Sequence, residues 1–127
     1  MKKIEAVIRT EKLEDLKMKF ADETLITGMT VSQVLGFGEQ KGFKEYVRGK
    51  AVQPMLLAKV KIEVVCQDAN VDAIVEEIRQ AVTTGEAGDG KIFIYPIEKV
   101  IKIRTAAEEK DNINGLDLTG IQIEKNK

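Results

Sequence analysis

Seven consecutive residues carry the most chemistry in this sequence: Gly85-Glu-Ala-Gly-Asp-Gly90-Lys91. They satisfy the first seven positions of the Walker pattern G-x4-G-K. Three glycines let backbone N–H groups approach an anion closely, and Lys91 adds a positive charge beside them. A hydrolytic P-loop does not fit. Ile92 stands where a Ser or Thr should hold magnesium, and the segment follows a helical pattern and precedes a strand, the reverse of the order that gives the motif its mechanism. Two readings stay open here, an anion-binding loop without hydrolytic machinery and a glycine-rich helix C-cap with a turn. The stretch KVIKIRT that follows favours the first. It is predicted as a strand, so Lys102 and Arg104, two residues apart, point to one face. With Lys91 they suit a polyphosphate, Arg104 by bidentate contact and Lys102 as a point charge.

Composition narrows the chemistry further. The chain contains no histidine, which removes the commonest base, proton shuttle and metal ligand near neutral pH. Triads, Cys-His dyads and histidine-based zinc sites are excluded. The single cysteine, Cys66, follows Val64 and Val65 and reads as a quiet buried thiol. This predicts a reducing, cytoplasmic setting. Lys plus Arg number 20 against 21 Asp plus Glu, a formal charge of -1, so no general basic field draws in nucleic acid or an anionic membrane. The opening MKKIEAVIRT has early charges and no long apolar run, and so reads as neither a signal peptide nor a membrane span. Apolar residues make up 43% of 127 residues, enough for one domain with its own core.

The elements that must position these residues are written in the hydrophobic periodicity. Ile4, Ala6 and Ile8 alternate with polar residues from Lys3 to Arg9, predicting a first strand. Thr10 is expected to cap a helix carrying Leu13, Leu16 and Phe20 and stopping near Asp22. After Gly28 a second strand, TVSQVLGF, is expected, and a third, KVKIEVVC, from Lys59 to Cys66. Asp68 or Asn70 is expected to cap a helix whose Val71, Ile74, Val75, Ile78 and Val82 form one apolar stripe before Gly85. KIFIYP and KVIKIRT then supply a final strand or pair of strands. The order is that of an α+β, ferredoxin-like βαββαβ sandwich.

Two segments exceed a minimal version of that fold. The connection 38–58 is far longer than a hairpin needs; its front half is polar and locally basic, with Lys41, Lys44, Arg48 and Lys50, while its back half, AVQPMLLA, is apolar. Part of it reads as an extension of the two strands, and its tip as a recognition surface. The stretch 108–127, with Asn114-Gly115 as a turn signal, predicts either a short extra hairpin or a frayed end. The expected organisation is therefore one domain over 1–107 and an extension over 108–127.

The stretches TGMTVSQVLGFGEQKG (27–42), EYVRGKAV (45–52), KVKIEVV (59–65), and TGEAGDGKIFIYP with KVIKIRT, together resemble the PII signal-transduction family. The likeness covers residues 1 to about 105, with one extra residue near Thr24. The resemblance implies a ferredoxin-like subunit that assembles as a homotrimer, binds ATP or ADP in clefts between subunits, senses 2-oxoglutarate together with MgATP, and regulates partners through a long T-loop, here 38–58. By position it assigns Gly88, Asp89, Gly90 and Lys91 to the phosphate loop, and Lys102 and Arg104 to basic residues reaching phosphate from a neighbouring subunit. Thr30 falls near the adenine and Gly38 at the T-loop base. Gln40 matches the glutamine that ligates Mg2+ when 2-oxoglutarate is bound, and Lys59 the lysine that pairs with that ligand's carboxylate. Arg48 matches a loop-tip arginine that relatives insert into ammonium channels.

Several positions depart from the family pattern. Glu39 replaces the arginine common before that glutamine, which removes a cation and adds an anion near the phosphates. Val52 replaces the tyrosine that many relatives have uridylylated, and Lys50 the serine that some have phosphorylated, so neither modification can occur there. Phe43 and the AVQPMLLA segment also differ. The leading reading is thus a non-enzymatic sensor acting on an ammonium transporter or nitrogen-metabolism enzyme. The alternative is a PII-like sensor of adenylate alone that serves a different transporter or pathway. Slow ATP hydrolysis and a purely structural module are the readings from other classes.

Overall fold

The computed structural model describes residues 1–21, 25–26, 28–37, 46–47, 50–51, 55–113 and 116–117. Strand β1 runs from Lys2 to Arg9, with Ile4, Ala6 and Ile8 buried and the residues between them partly exposed. After a 3-10 turn at Thr10–Lys12, helix α1 spans Leu13–Ala21 and buries Leu16 and Phe20, one turn apart. Strand β2 is Thr30–Gly36. Within the long connection, β3 (Tyr46–Val47) pairs antiparallel with β4 (Lys50–Ala51). Strand β5, Leu57–Cys66, begins two residues earlier than its alternation predicts. Helix α2 spans Val71–Val82, and its Ile74, Ile78 and Val82 face inward at four-residue spacing. Strand β6, Lys91–Pro96, closes the main sheet.

That sheet has the order β2-β5-β1-β6, all antiparallel. Each helix connection skips over one strand, which leaves β1 and β5 in the centre and is the ferredoxin-like topology expected. Both helices cover one face: Ile4, Ala6, Ile8, Val60, Ile62, Val64 and Cys66 from the central strands form one core with the helical residues. Each isoleucine or valine among them contributes about 1.5–3 kcal/mol by leaving water. The opposite face carries Lys3, Glu5, Val7 and Arg9 of β1, aligned with Glu63, Lys61 and Lys59 of β5.

Three local expectations are corrected. Thr10 does not cap α1; it lies inside the preceding 3-10 turn, and its hydroxyl donates to Glu11 Oε1 at 3.4 Å. Neither Asp68 nor Asn70 caps α2 through its side chain, because a second 3-10 turn occupies Asp68–Asn70 and the Asp68 carboxylate instead faces the Met1 ammonium at 3.1 Å. The strand expected over 99–105 ends early. Strand β7 is only Val100–Ile101, paired with β8 (Glu108–Glu109), and Lys102 to Ala107 form the turn between them. Lys102 N donates to Ala107 O at 2.9 Å, Ala106 N donates to Lys102 O at 2.8 Å, and Ala106 takes a left-handed φ of 60°. Lys102 and Arg104 therefore share no strand face, contrary to the expectation from KVIKIRT.

The segment beyond 107 begins on the core. Asp68 N donates to Asp111 Oδ1 at 3.1 Å, and the Met1 ammonium lies 3.2 Å from Asp111 Oδ2. Beyond it β9 (Asn112–Ile113) and β10 (Leu116–Asp117) pair antiparallel on either side of 114–115. An Asp111→Ala chain is expected to exchange its Asp68 amide hydrogen faster while losing only about 1 kcal/mol of overall stability. Hydrogen exchange resolved by residue, alongside thermal unfolding, measures both. Among the described residues no helix is long and apolar enough to cross a membrane.

Candidate functional site

The glycine-rich loop joins α2 to β6 and crosses the end of β1 and β5. Gly85, Gly88 and Gly90 have φ values of 87°, 98° and 106°, the left-handed region open to glycine. Gly90 is constrained doubly, because a Cβ there would lie 1.8 Å from the Val7 carbonyl oxygen. The backbone of β1 thus sets how closely the loop returns to the sheet, and it delivers Lys91 to the first position of β6 opposite Val7, with the lysine exposed.

Two cations and one carboxylate hold the loop from beneath. Lys59, on β5, is the charged side chain that is buried among the described residues, and its ammonium donates to Gly88 O at 2.9 Å. Burial pushes its pKa down, and the neighbouring Arg9 guanidinium adds to the effect, against smaller opposing pulls from Glu11 and Asp89. Arg9 donates from Nη2 to Ala87 O at 2.7 Å and from Nε to Asp89 Oδ1 at 3.2 Å. Asp89 also accepts from the Thr84 hydroxyl, from Thr84 N at 2.8 Å and from Gly85 N at 2.9 Å. The Thr84 hydroxyl, then the two amides and Arg9, hold the Asp89 carboxyl far below the usual carboxylate range. Arg9 was not legible as a site residue: its partner is 80 positions away, and no local pattern marks it.

The sign of the Asp89 shift fixes a pH dependence. Its folded pKa is depressed below the ordinary 3.8, so its stabilising contribution is present above that value and is lost as pH falls toward the folded pKa. Stability is therefore expected to drop as the pH falls below about 4, and an Asp89→Asn chain to show a shallower acid loss. Thermal unfolding as a function of pH measures the difference in slope.

The candidate residues fall into two groups at opposite ends of the sheet. Gly88, Asp89, Gly90, Lys91 and Lys59 meet at the Arg9 end, beside a cavity of about 380 Å³ lined by Thr10, Gln33, Val34, Leu35, Ala58 and Lys59. Thr30 lies at the Lys3 end, where Lys3, Gly28, Glu63, Val65 and Val100 line another cavity of about 350 Å³ with it. There Lys3 is 3.0 Å from Glu63 and sits over the Tyr95 ring, 4.6 Å from its centroid. Lys102 and Arg104 are exposed in the turn that follows Val100, at this same end. Six residues of strand separate Lys3 from Arg9, about 20 Å at the usual rise. One small ligand cannot touch both groups within one chain. Gly38, Gln40 and Arg48, like the Glu39 and Val52 departures, lie outside the described residues.

A family model described as nitrogen regulatory protein P-II matches residues 1–107. The chain belongs to the P-II nitrogen regulatory family. Among its relatives, the nitrogen regulatory protein P-II of Pasteurella multocida (strain Pm70) is 50% identical over 113 residues, covering 89% of this chain and all of the relative. That of Nostoc punctiforme is 47% identical over 113 residues, with the same coverage. The nitrogen regulatory protein P-II 1 of Escherichia coli (strain K12) is 49% identical over 109 residues, covering 86% of this chain and 96% of the relative. P-II relatives are thus named as regulatory proteins, in accord with a signalling role rather than an enzymatic one. The family model stops at residue 107, while the relatives align over up to 113 residues.

Proposed function

We propose that this P-II chain binds ATP or ADP between subunits of a homotrimer, senses 2-oxoglutarate together with MgATP, and passes the result to a partner through the segment 38–58. The observation that carries this reading is the division of the candidate residues into two half-sites at opposite ends of one sheet. A ligand gripped by both halves needs two chains. One chain would supply Gly88, Gly90 and Lys91 to the phosphates, and its neighbour Thr30 to the adenine with Lys102 and Arg104 to the phosphates. The face opposite the helices supports association, since Phe93, Tyr95 and Val65 remain about 40% exposed on it.

The acidic co-effector is assigned to Lys59. A buried ammonium whose pKa is lowered by desolvation gains from an incoming carboxylate, which restores the lost counter-charge. Arg9 beside it adds a second cation. Gln40 would offer an amide oxygen to magnesium, a hard cation that prefers oxygen ligands and carries MgATP charge. Gly38 would close the base of the T-loop over the nucleotide. Arg48 would engage the partner, an ammonium transporter or another protein of nitrogen metabolism. A second reading, a sensor of adenylate alone, is favoured by the residue type at position 39, where Glu39 replaces the arginine that the family resemblance implies.

Subunit mixing tests the shared cleft. Lys91→Ala and Arg104→Ala chains are each expected to bind ATP weakly as pure trimers. Refolded together in equal amounts, they should regain tight binding in about a quarter of the clefts, where each half-site comes from the chain in which it is intact. Recovery of no tight sites would place both residues on one chain's site and overturn the reading.

A further inference from the structure

The Asp89 carboxylate lies in the loop assigned to phosphate, yet both its oxygens are taken up by donors of the protein itself. A carboxylate offers about four acceptor positions. Here Oδ1 receives Arg9 Nε and the Thr84 hydroxyl, and Oδ2 receives the amides of Thr84 and Gly85. Both oxygens are thus engaged twice within the protein. The Thr84 hydroxyl donates to Asp89 and also accepts from Glu86 N at 3.2 Å, which joins the start of the loop to its middle. Arg9 joins that middle to the sheet, through Asp89 on one side and Ala87 O on the other. Between these points the Gly88 carbonyl is set on Lys59.

We propose that Asp89 is a positioning residue: with Thr84 and Arg9 it fixes the turn that presents Gly88, Gly90 and Lys91 to a polyphosphate, and it does not contact the ligand. The inference rests on the reading of this loop as a phosphate site. It assigns to Thr84, so far without a role, half of the device. Asp89→Asn keeps the shape but turns one acceptor into a donor, so at least one of the four donors meets an N–H. Thr84→Val keeps the shape of threonine but neither donates to Asp89 nor accepts from Glu86 N. Thr84→Ser keeps the hydroxyl and should restore both contacts.

Two measurements on the full chain test this. In the absence of ligand, the amide hydrogens of Gly85 and Glu86 are expected to exchange roughly tenfold faster in Asp89→Asn and Thr84→Val, and at near the natural rate in Thr84→Ser. In ATP titration, Asp89→Asn and Thr84→Val should each weaken binding about tenfold, Thr84→Ser should recover it to within about twofold, and the double variant should be no weaker than the worse single, because the two act as one unit. Losses that multiply in the double variant would mean that Asp89 touches the ligand independently of Thr84, and would overturn the proposal. So would unchanged exchange in Asp89→Asn, whether or not ATP binds. A natural chain that binds no ATP, with exchange responding as described, would overturn the phosphate reading and leave the positioning role established.

Discussion

A Gly90→Ala chain is expected to lose about 3–5 kcal/mol of stability, through a strained backbone and a clash that cannot relax locally. The alanine Cβ would have to sit 1.8 Å from Val7 O and 2.9 Å from Val7 C, with φ at +106°. Val7 O belongs to a central strand whose other edge is paired with β5, so it cannot move aside without breaking register on both sides. The melting temperature should fall by roughly 10–20 °C, with ATP affinity reduced as the loop lifts from β1. Two other glycines separate the causes. Gly85 shares a positive φ of 87° but a Cβ there meets nothing within 4 Å, so Gly85→Ala should cost about 1 kcal/mol. Gly28 has neither constraint, and Gly28→Ala should be nearly silent. Equal losses at positions 85 and 90 would show that the approach to Val7 is not the cause. Differential scanning calorimetry of the three variants decides it.

A Lys59→Met chain is expected to lose 2-oxoglutarate binding by more than about 100-fold, the usual consequence of leaving a ligand charge without its buried partner. Methionine keeps the length and apolar stem of lysine while removing the ammonium. ATP affinity should change only a fewfold, because Lys59 touches the loop through the single Gly88 carbonyl. Stability should change little at neutral pH, since the lost hydrogen bond is offset by relief from burying a charge. The pH profile gives a separate readout. The folded pKa of Lys59 lies below the ordinary 10.5, so the unfolded chain holds more protons between the two values and stability rises with pH across that interval. That rise should be absent in Lys59→Met. Retention of 2-oxoglutarate binding in this variant, measured calorimetrically with MgATP present, would remove Lys59 from the ligand site.

What could be read from the residues follows from the range of the forces involved. The alternation of Ile4, Ala6 and Ile8 and the stripe of Ile74, Ile78 and Val82 are burial patterns with a local period, and the main sheet and helices follow them closely. The glycine-rich loop was legible because glycine marks a backbone requirement, here the positive φ at positions 85, 88 and 90. Thr10, Asp68 and Asn70 do not cap the helices through their side chains because they sit inside 3-10 turns, and Asp68 pairs with the Met1 ammonium. KVIKIRT has strand-like composition, yet β6 already occupies the sheet edge after β1, and the chain turns at Lys102 to pair with Glu108–Glu109. Arg9 carries no local signature at all, and its role exists only because the fold brings residue 9 to residue 89, whereas Thr84 meets Asp89 within the loop itself.

On the proposed reading, a ligand that joins the two half-sites ties neighbouring chains together. Coupling then has a physical route, because the segment 38–58 leaves β2 and re-enters β5 next to Lys59. A ligand can bias that segment only by binding one of its arrangements more tightly than another. Isothermal titration of the natural chain, first with MgATP and then with 2-oxoglutarate, tests this most directly. Saturable heat is expected from MgATP, one nucleotide per chain, and a second heat from 2-oxoglutarate only after MgATP is bound. Heat from MgATP with none from 2-oxoglutarate would leave a sensor of adenylate alone, and no heat from either nucleotide at millimolar concentration would contradict the account.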